Sequence, residues 1–413
     1  MAQRSSSSRH EGPADHRRAL PISLGLWLLG ACSIGEAAGP TPRAEDAPRP
    51  SSAVRSGNDG RSDGPPGTSP AGTETAAQPA PTTPEAAPQD SDVPTPEGFF
   101  DLPDAPALER LRSGAIAAVK LGRGGRSVAF KLTLDNGTVG YFKPRQSFSA
   151  AKWYSEIAAF HLDRTLGLGR VPPVVKRVFH RDQLRKALGR DRRRAEVQWA
   201  RDGTVPGALI WWIPGRLKPL PYALNWERWI RVRHWPSASV TPFQRPRVWA
   251  DQKKLAREQG NRWRSAANRL KRRRARPNPD RPGRPQELSD MIVFDYLTRN
   301  IDRWGGNNAN VLVRGRDGPL VFLDNAAGFA SGAARPTLLD SRLRVLQRFN
   351  RSTIEAVRAL DVGAYGARVN ASSDGGLVLW PYHLRGLAER REALLAWVAE
   401  CERRYGEDVY SWP

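Results

Sequence analysis

The chain has 413 residues, with 65 Lys and Arg against 42 Asp and Glu for a formal net charge of +23, and only 39% of it is hydrophobic. That length holds one large or two ordinary domains, and so low an apolar fraction implies that part of the chain is disordered. Two cysteines exclude a disulfide scaffold and any multi-cysteine zinc or iron–sulfur site, and no apolar run reaches the roughly 18 residues that span a bilayer.

Met1 to Arg18 is mostly polar, and Arg17 and Arg18 stand just ahead of an apolar run, Ala19 to Ala31. The run has the length of a signal-peptide core and is too short to span as a helix. It ends in Leu29-Gly30-Ala31-Cys32, which resembles the bacterial lipobox, where small residues admit the peptidase and the thiol receives diacylglycerol. Residues 1–32 are expected to be a lipoprotein signal with Cys32 lipidated, and Ser33 favours an outer-membrane or periplasm-facing destination. Residues 33–97 are built largely of Pro, Ala, Ser, Thr, Gly and Asp and lack any aromatic residue. They read as a disordered tether with an r.m.s. reach of roughly 45 Å.

The fold is expected to start near Phe99-Phe100. Val128, Phe130, Leu132 and Leu134 alternate with Ser127, Ala129, Lys131 and Thr133, the period of a half-buried strand. Asp135-Asn136-Gly137 supplies a tight turn, and a return strand from Thr138 carries Lys143 at its end, with Pro144 stopping the ladder. Upstream, Gly122-Arg123-Gly124-Gly125-Arg126 is a basic glycine-rich loop. Alone it is only a turn; ahead of a hairpin that ends in a lysine it is a candidate cover for a phosphate chain.

Ser149 to Leu166 has helical periodicity, with Ser149 as its cap and Trp153, Ile157, Phe160 and Leu166 near one face. Glu156 lies within this mostly apolar helix, where a carboxylate wants a cationic partner, and Lys143 is the expected one. Lys176 to Arg284 carries 30 Lys and Arg against 8 Asp and Glu, with eight of the 14 tryptophans. Within it Gly207–Trp212 reads as a buried strand and Asn268–Pro285 as a solvated basic loop. Basic and aromatic composition suits nucleic acid, and equally an anionic polymer or lipid head groups; nucleic acid is not the expected partner.

Glu287 to Asn300 reads as a second amphipathic helix, running into Ile301-Asp302-Arg303-Trp304-Gly305-Gly306-Asn307. Strands at Val311–Val313 and Leu320–Leu323 follow, and the second ends in Asp324-Asn325. Thr337–Leu360 and Tyr382–Tyr405 have helical periodicity. Phosphoryl transfer from a nucleotide needs this ordered set. A lysine neutralises phosphate oxygens and a glutamate holds it; an aspartate orients or deprotonates the acceptor hydroxyl; an Asn and a second Asp hold divalent metal.

Four segments resemble the four-jointed and Golgi-casein-kinase family of secretory-pathway atypical kinases: Tyr141 to Arg145, Glu156 to Pro173, Phe294 to Asn307 and Val321 to Phe329. The last two look closest to the four-jointed branch. The resemblance implies an α+β, two-lobed, kinase-like domain over residues 98–413. A small β-rich N-lobe with one long helix would cover about 98–215, the basic zone about 176–285, and a mainly helical C-lobe about 286–413. It implies ATP as donor, Mn²⁺ or Mg²⁺ as metal, and a protein Ser/Thr or glycan hydroxyl as acceptor. By the same resemblance Lys143 contacts the nucleotide phosphates, with Glu156 as its partner or as a metal-site carboxylate. Asp302 is the catalytic base, Asn307 and Asp324 bind metal, and Lys131, Gly122, Gly124 and Gly125 are further nucleotide-site candidates. Two other readings stand beside it: a catalytically weak pseudokinase scaffold, and a surface lipoprotein that binds anionic polymer through the Arg/Trp-rich zone.

Overall fold

The computed structural model describes residues 98–100, 102–122, 125–220, 226–233, 242–243, 279, 281–304, 310–315, 318–329, 336–373 and 376–412. The signal and tether, Cys32, Gly124, Asn307 and most of 221–280 therefore lie outside the described residues. Among those described, no helix is long and apolar enough to cross a membrane.

Two short strands, β1 (Gly98–Phe99) and β2 (Leu102–Pro103), pair antiparallel and lead into α1 (Asp104–Ser113). A five-stranded sheet follows, from β3 (Ile116–Leu121), β4 (Phe130–Leu134), β5 (Val139–Pro144), β6 (Val174–His180) and β7 (Thr204–Trp211). Its order is β3-β4-β5-β7-β6 and every pair is antiparallel. The alternation read in β4 is the alternation observed: Phe130, Leu132 and Leu134 are buried and Lys131 and Thr133 are not. Gly137, at φ 77°, closes the β4–β5 turn in the left-handed region that glycine adopts freely. Because successive side chains change face, Phe142 enters the core while Tyr141 and Lys143 point the other way, on the face that also carries Lys131. Pro144 does not stop the ladder ahead of it. It is the last residue of β5, paired with Gly207.

Helices α2 (Trp153–Thr165) and α3 (Arg181–Leu188) complete this lobe, and α2 is its longest helix, with α1 and α3 shorter. Helix α2 starts later than its cap signal predicts. Lys152 is the N-cap, and its amide donates to the carbonyl of Ala326 at 3.0 Å, so a tertiary contact fixes the start in place of Ser149.

The second lobe is built around α4 (Arg284–Thr298), buried on nearly every side. Strand β8 (Leu217–Pro219) pairs with β9 (Leu312–Arg314), and β9 with β10 (Leu320–Val321). Around them lie α5 (Pro336–Leu343), α6 (Arg351–Ala359), α7 (Val362–Ala371) and α8 (Pro381–Tyr405). The periodicity of Thr337–Leu360 thus belongs to two helices. Between them the amides of Gln347 and Arg348 donate to Ile230 and that of Phe349 to Val409, which turns the chain away from a helical course.

The basic zone divides accordingly. Its first third forms β6, α3 and β7 of the sheet. Trp226 and Trp229 are core residues, and Trp226 packs with Trp304 and Phe243 at centroid separations of 5.0–5.1 Å. Arg284, assigned above to a solvated loop, is fully buried at the start of α4. Glu287 Oε2 accepts from it at 2.6 Å and the Gly318 carbonyl at 2.9 Å, and these partners satisfy a charge that burial alone would forbid.

Candidate active site

A cleft of about 1200 Å³ opens on the Lys143 face of the sheet, lined among others by Gly122, Gly125, Lys131, Tyr141, Lys143, Asn310 and Asp324. At its floor Lys143 Nζ lies 2.5 Å from Glu156 Oε1 and 2.6 Å from Asp324 Oδ1. Three distant elements meet here: the end of β5, the first turn of α2 and the segment after β10. Ala208 stands opposite Lys143 in the ladder, and its small side chain leaves room for the lysine. Glu156 is 1% exposed, and the N-terminal turn of a helix is favourable for an anion. Asp324 differs, with about half of its side chain open to the cleft.

Burial alone would lower the pKa of Lys143, but Asp324 and Glu156 outweigh it and hold the ammonium well above its usual value. Lys143 in turn holds the Asp324 carboxyl below the usual carboxylate range, against the opposing effect of burial. Lys143 and Asp324 therefore stay charged at neutral pH.

Behind this triad lies a second network that sequence reasoning did not assign. Glu156 also accepts from the amide of Asn325, at 3.1 and 3.2 Å to its two oxygens. Asn325 Oδ1 accepts from Arg303 Nη2 at 2.6 Å, and Asn325 Nδ2 donates to the Phe322 carbonyl at 2.9 Å. Arg303 is fully buried; its Nε donates to both oxygens of Asp295, on α4, and its Nη1 to the Leu323 carbonyl. One guanidinium therefore joins α4, the Asp302 turn and the segment after β10. The only sequence signal for it was a charged residue directly after Asp302.

Asp302 is exposed and lies outside the cleft wall. Its link to the floor runs through buried Asn300, which accepts from the Asp302 amide at 3.2 Å and donates to the Asp324 carbonyl at 3.3 Å. Helix α4 ends just before, at Arg299, in a left-handed conformation (φ 59°) that turns the chain into this loop.

The other cleft wall is aromatic. Lys131 Nζ sits 3.8 Å from the centroid of the Trp212 ring, and Tyr141 and Trp212 are 6.1 Å apart. Trp212 is 39% exposed, which leaves a ring available for stacking. Gly122 sits where any Cβ would come within 2.6 Å of the Tyr141 hydroxyl. Trp212 was read from sequence only as part of a buried strand; its exposure is set by its position just past the end of β7.

The cluster fits one half of a metal–phosphate site. Among the described residues no three His, Cys, Asp or Glu side chains converge, so a closed protein cage for metal is absent from them. A single half-exposed carboxylate beside a lysine suits instead a hard cation whose remaining ligands come largely from phosphate oxygens and water.

Residues 106–404 match the family model of the four-jointed box protein middle domain. Human four-jointed box protein 1 is 26% identical over 348 residues, 75% of this chain and 69% of that protein. The glycosaminoglycan xylosylkinase of Danio rerio is 23% identical over 339 residues, 74% of this chain and 76% of that protein. A solved structure of the Golgi casein kinase with Mn/ADP bound matches with a TM-score of 0.53 at 18% identity, covering 73% of this chain and 76% of that one. The fold is thus α+β and kinase-like.

Proposed function

Because the chain belongs to the four-jointed box family, we propose that it is an exported kinase that transfers the γ-phosphoryl group of ATP to a hydroxyl of a protein Ser/Thr or a glycan. The observation that carries this reading is the joining of Lys143 to both Glu156 and Asp324 at the cleft floor. Lys143 neutralises phosphate oxygens, and Glu156 keeps its ammonium aimed into the cleft. Asp324 and Asn307 hold Mn²⁺ or Mg²⁺, which when bound offsets charge on the phosphates. The acceptor oxygen attacks the γ-phosphorus, the bond to the β–γ bridging oxygen breaks, ADP leaves, and Asp302 takes the hydroxyl proton. Lys131 and Trp212 flank the donor nucleotide, Gly122, Gly124 and Gly125 its phosphates.

The test is thermal stability with ATP plus Mn²⁺ or Mg²⁺, for the wild type beside Asp324→Ala. Saturating nucleotide at a hundred times its Kd stabilises by about 2.7 kcal/mol. We expect a metal-dependent rise in Tm that the variant loses. No rise with any nucleotide or metal would overturn the reading.

The destination follows from the N-terminus: Cys32 carries a lipid that holds the domain at a membrane surface through the tether. Cys32→Ser should move the protein from the membrane pellet to the soluble fraction, and a variant that stays in the pellet would exclude a lipid anchor at this residue.

A further inference from the structure

The glycine-rich segment of the cleft is tied to a separate stretch of chain. Arg193 belongs to a single 3₁₀ turn, Arg192–Glu196, and its side chain is 19% exposed. Its Nη1 donates to the carbonyls of Gly125 at 3.2 Å and Ser127 at 3.0 Å, and its Nη2 to that of Gly122 at 3.4 Å. Nε and Nη2 also donate to Asp191, at 3.0 Å to Oδ1 and 2.8 Å to Oδ2, the two-pronged pairing that suits guanidinium to carboxylate. A guanidinium has five N–H groups, and these five bonds use them all. Arg193 lines the cleft, yet it has no donor left for a phosphate.

The partners are themselves fixed. Asp191 accepts from the Arg193 amide at 2.8 Å and so caps the turn that carries the arginine. Glu196, at the far end of that turn, pairs with Arg126 of the glycine-rich segment. Such support is needed, because Gly122 and Gly125 have no side chains to pack and Gly125 takes φ 77°. Ordering each backbone residue costs about 1–2 kcal/mol of entropy, and glycine loses the most.

We propose that Arg193 is a positioning residue for nucleotide binding: it clamps the carbonyls of Gly122, Gly125 and Ser127, so that these residues meet the phosphate chain in one arrangement. This assignment rests on the kinase reading of the cleft. A segment fixed before the nucleotide arrives touches ground state and transition state alike, so its loss falls on KM and spares kcat.

The full chain carrying Arg193→Ala or Arg193→Lys tests this through ATP turnover and amide hydrogen exchange across residues 122–127. Lysine keeps the charge, but three donors on one ammonium do not reproduce the fork. Both variants should raise the KM for ATP about tenfold with kcat within about twofold. Both should also exchange roughly tenfold faster over 122–127, with α2 unchanged. If Arg193→Ala does not fold, Arg193→Lys carries the test. A wild-type KM in Arg193→Lys, a fall in kcat at constant KM, or unchanged exchange would each overturn the proposal. Wild-type protein that leaves ATP untouched overturns the kinase reading and this assignment together, whereas wild-type turnover beside an unmoved KM in Arg193→Ala overturns the Arg193 assignment alone.

Discussion

The floor of the cleft and the loop that carries Asp302 are built in opposite ways. At the floor the groups proposed to serve the donor are themselves part of the structure: Lys143 and Glu156 are buried and paired with each other. In the loop the proposed base, Asp302, is exposed, and its neighbours Asn300, Arg303 and Trp304 are buried. On the proposed roles, the difference teaches that stability and catalysis are joined at the donor end of the site and separable at the acceptor end. A fixed donor end suits one recurring ligand, while an exposed base suits acceptors that dock from outside.

Lys143→Met should break the donor end hardest. It leaves the Glu156 carboxylate buried without its cation, which destabilises by about 3–5 kcal/mol, and it abolishes turnover. Urea unfolding measures the loss, and adding Glu156→Gln to the same chain should recover part of the stability and none of the activity. If Lys143→Met is as stable as the wild type, the floor is not structural and the contrast fails.

Asp302→Ala should do the reverse. Turnover falls by about 10²–10⁴-fold, the range of a general base, while stability stays within about 0.5 kcal/mol because the side chain is exposed. Parallel kinetics and unfolding curves check this, and a variant that unfolds would show that Asp302 is structural.

The smallest effect concerns pH. With Asp324 held low and Lys143 held high, these two groups keep their charges between pH 5 and 8 and add no pH dependence there. Burial pushes Asp163 and Asp290 up to about 6 and His161 and His383 down to about 4. As pH falls from 6 to 4, the folded state takes up protons on the two aspartates before the unfolded state does, which adds stability. Over nearly the same window the unfolded state protonates the two histidines first, which removes stability. The slopes oppose and nearly cancel, so the unfolding free energy should stay nearly flat between pH 4.5 and 6. His161→Gln removes one opposing member, and its stability should rise by about 1 kcal/mol on going from pH 6 to pH 4.5. A flat profile in that variant would refute the balance.

What was legible in the sequence was whatever a local pattern specifies. The β4 alternation, the Asp135–Gly137 turn and helices α2, α4 and α8 follow from periodicity and turn chemistry, and the demand of Glu156 for a cation follows from its apolar helix. What escaped was set by contacts remote in the chain. The start of α2 is fixed by Ala326, the break between α5 and α6 by Ile230 and Val409, the burial of Arg284 in part by the Gly318 carbonyl, and that of Arg303 by Asp295, Leu323 and Asn325. A charged residue gives no local sign that the fold will bury it. Lys143, Asp302 and Asp324 drew notice because each follows an element end, and Glu156 because it is a carboxylate within an apolar helix; of these the structure joins Lys143, Glu156 and Asp324. Asn300, Arg303 and Asn325, which bind those ends together, were not singled out.

The backbone of Asp324 takes φ 63°, in the left-handed region, and among the described residues only Phe100, Arg299 and Phe329 share that sign without being glycine. Asn and Asp tolerate this conformation, glycine adopts it freely, and other residues are strained there. The position therefore filters its own replacements. A lineage that gave up catalysis would lose this carboxylate most cheaply to Asn or Gly, with the lysine, the buried glutamate and the arginine behind them left in place. In a sequence survey, copies of this fold that have lost the Asp324 carboxylate should carry Asn or Gly there more often than any other residue.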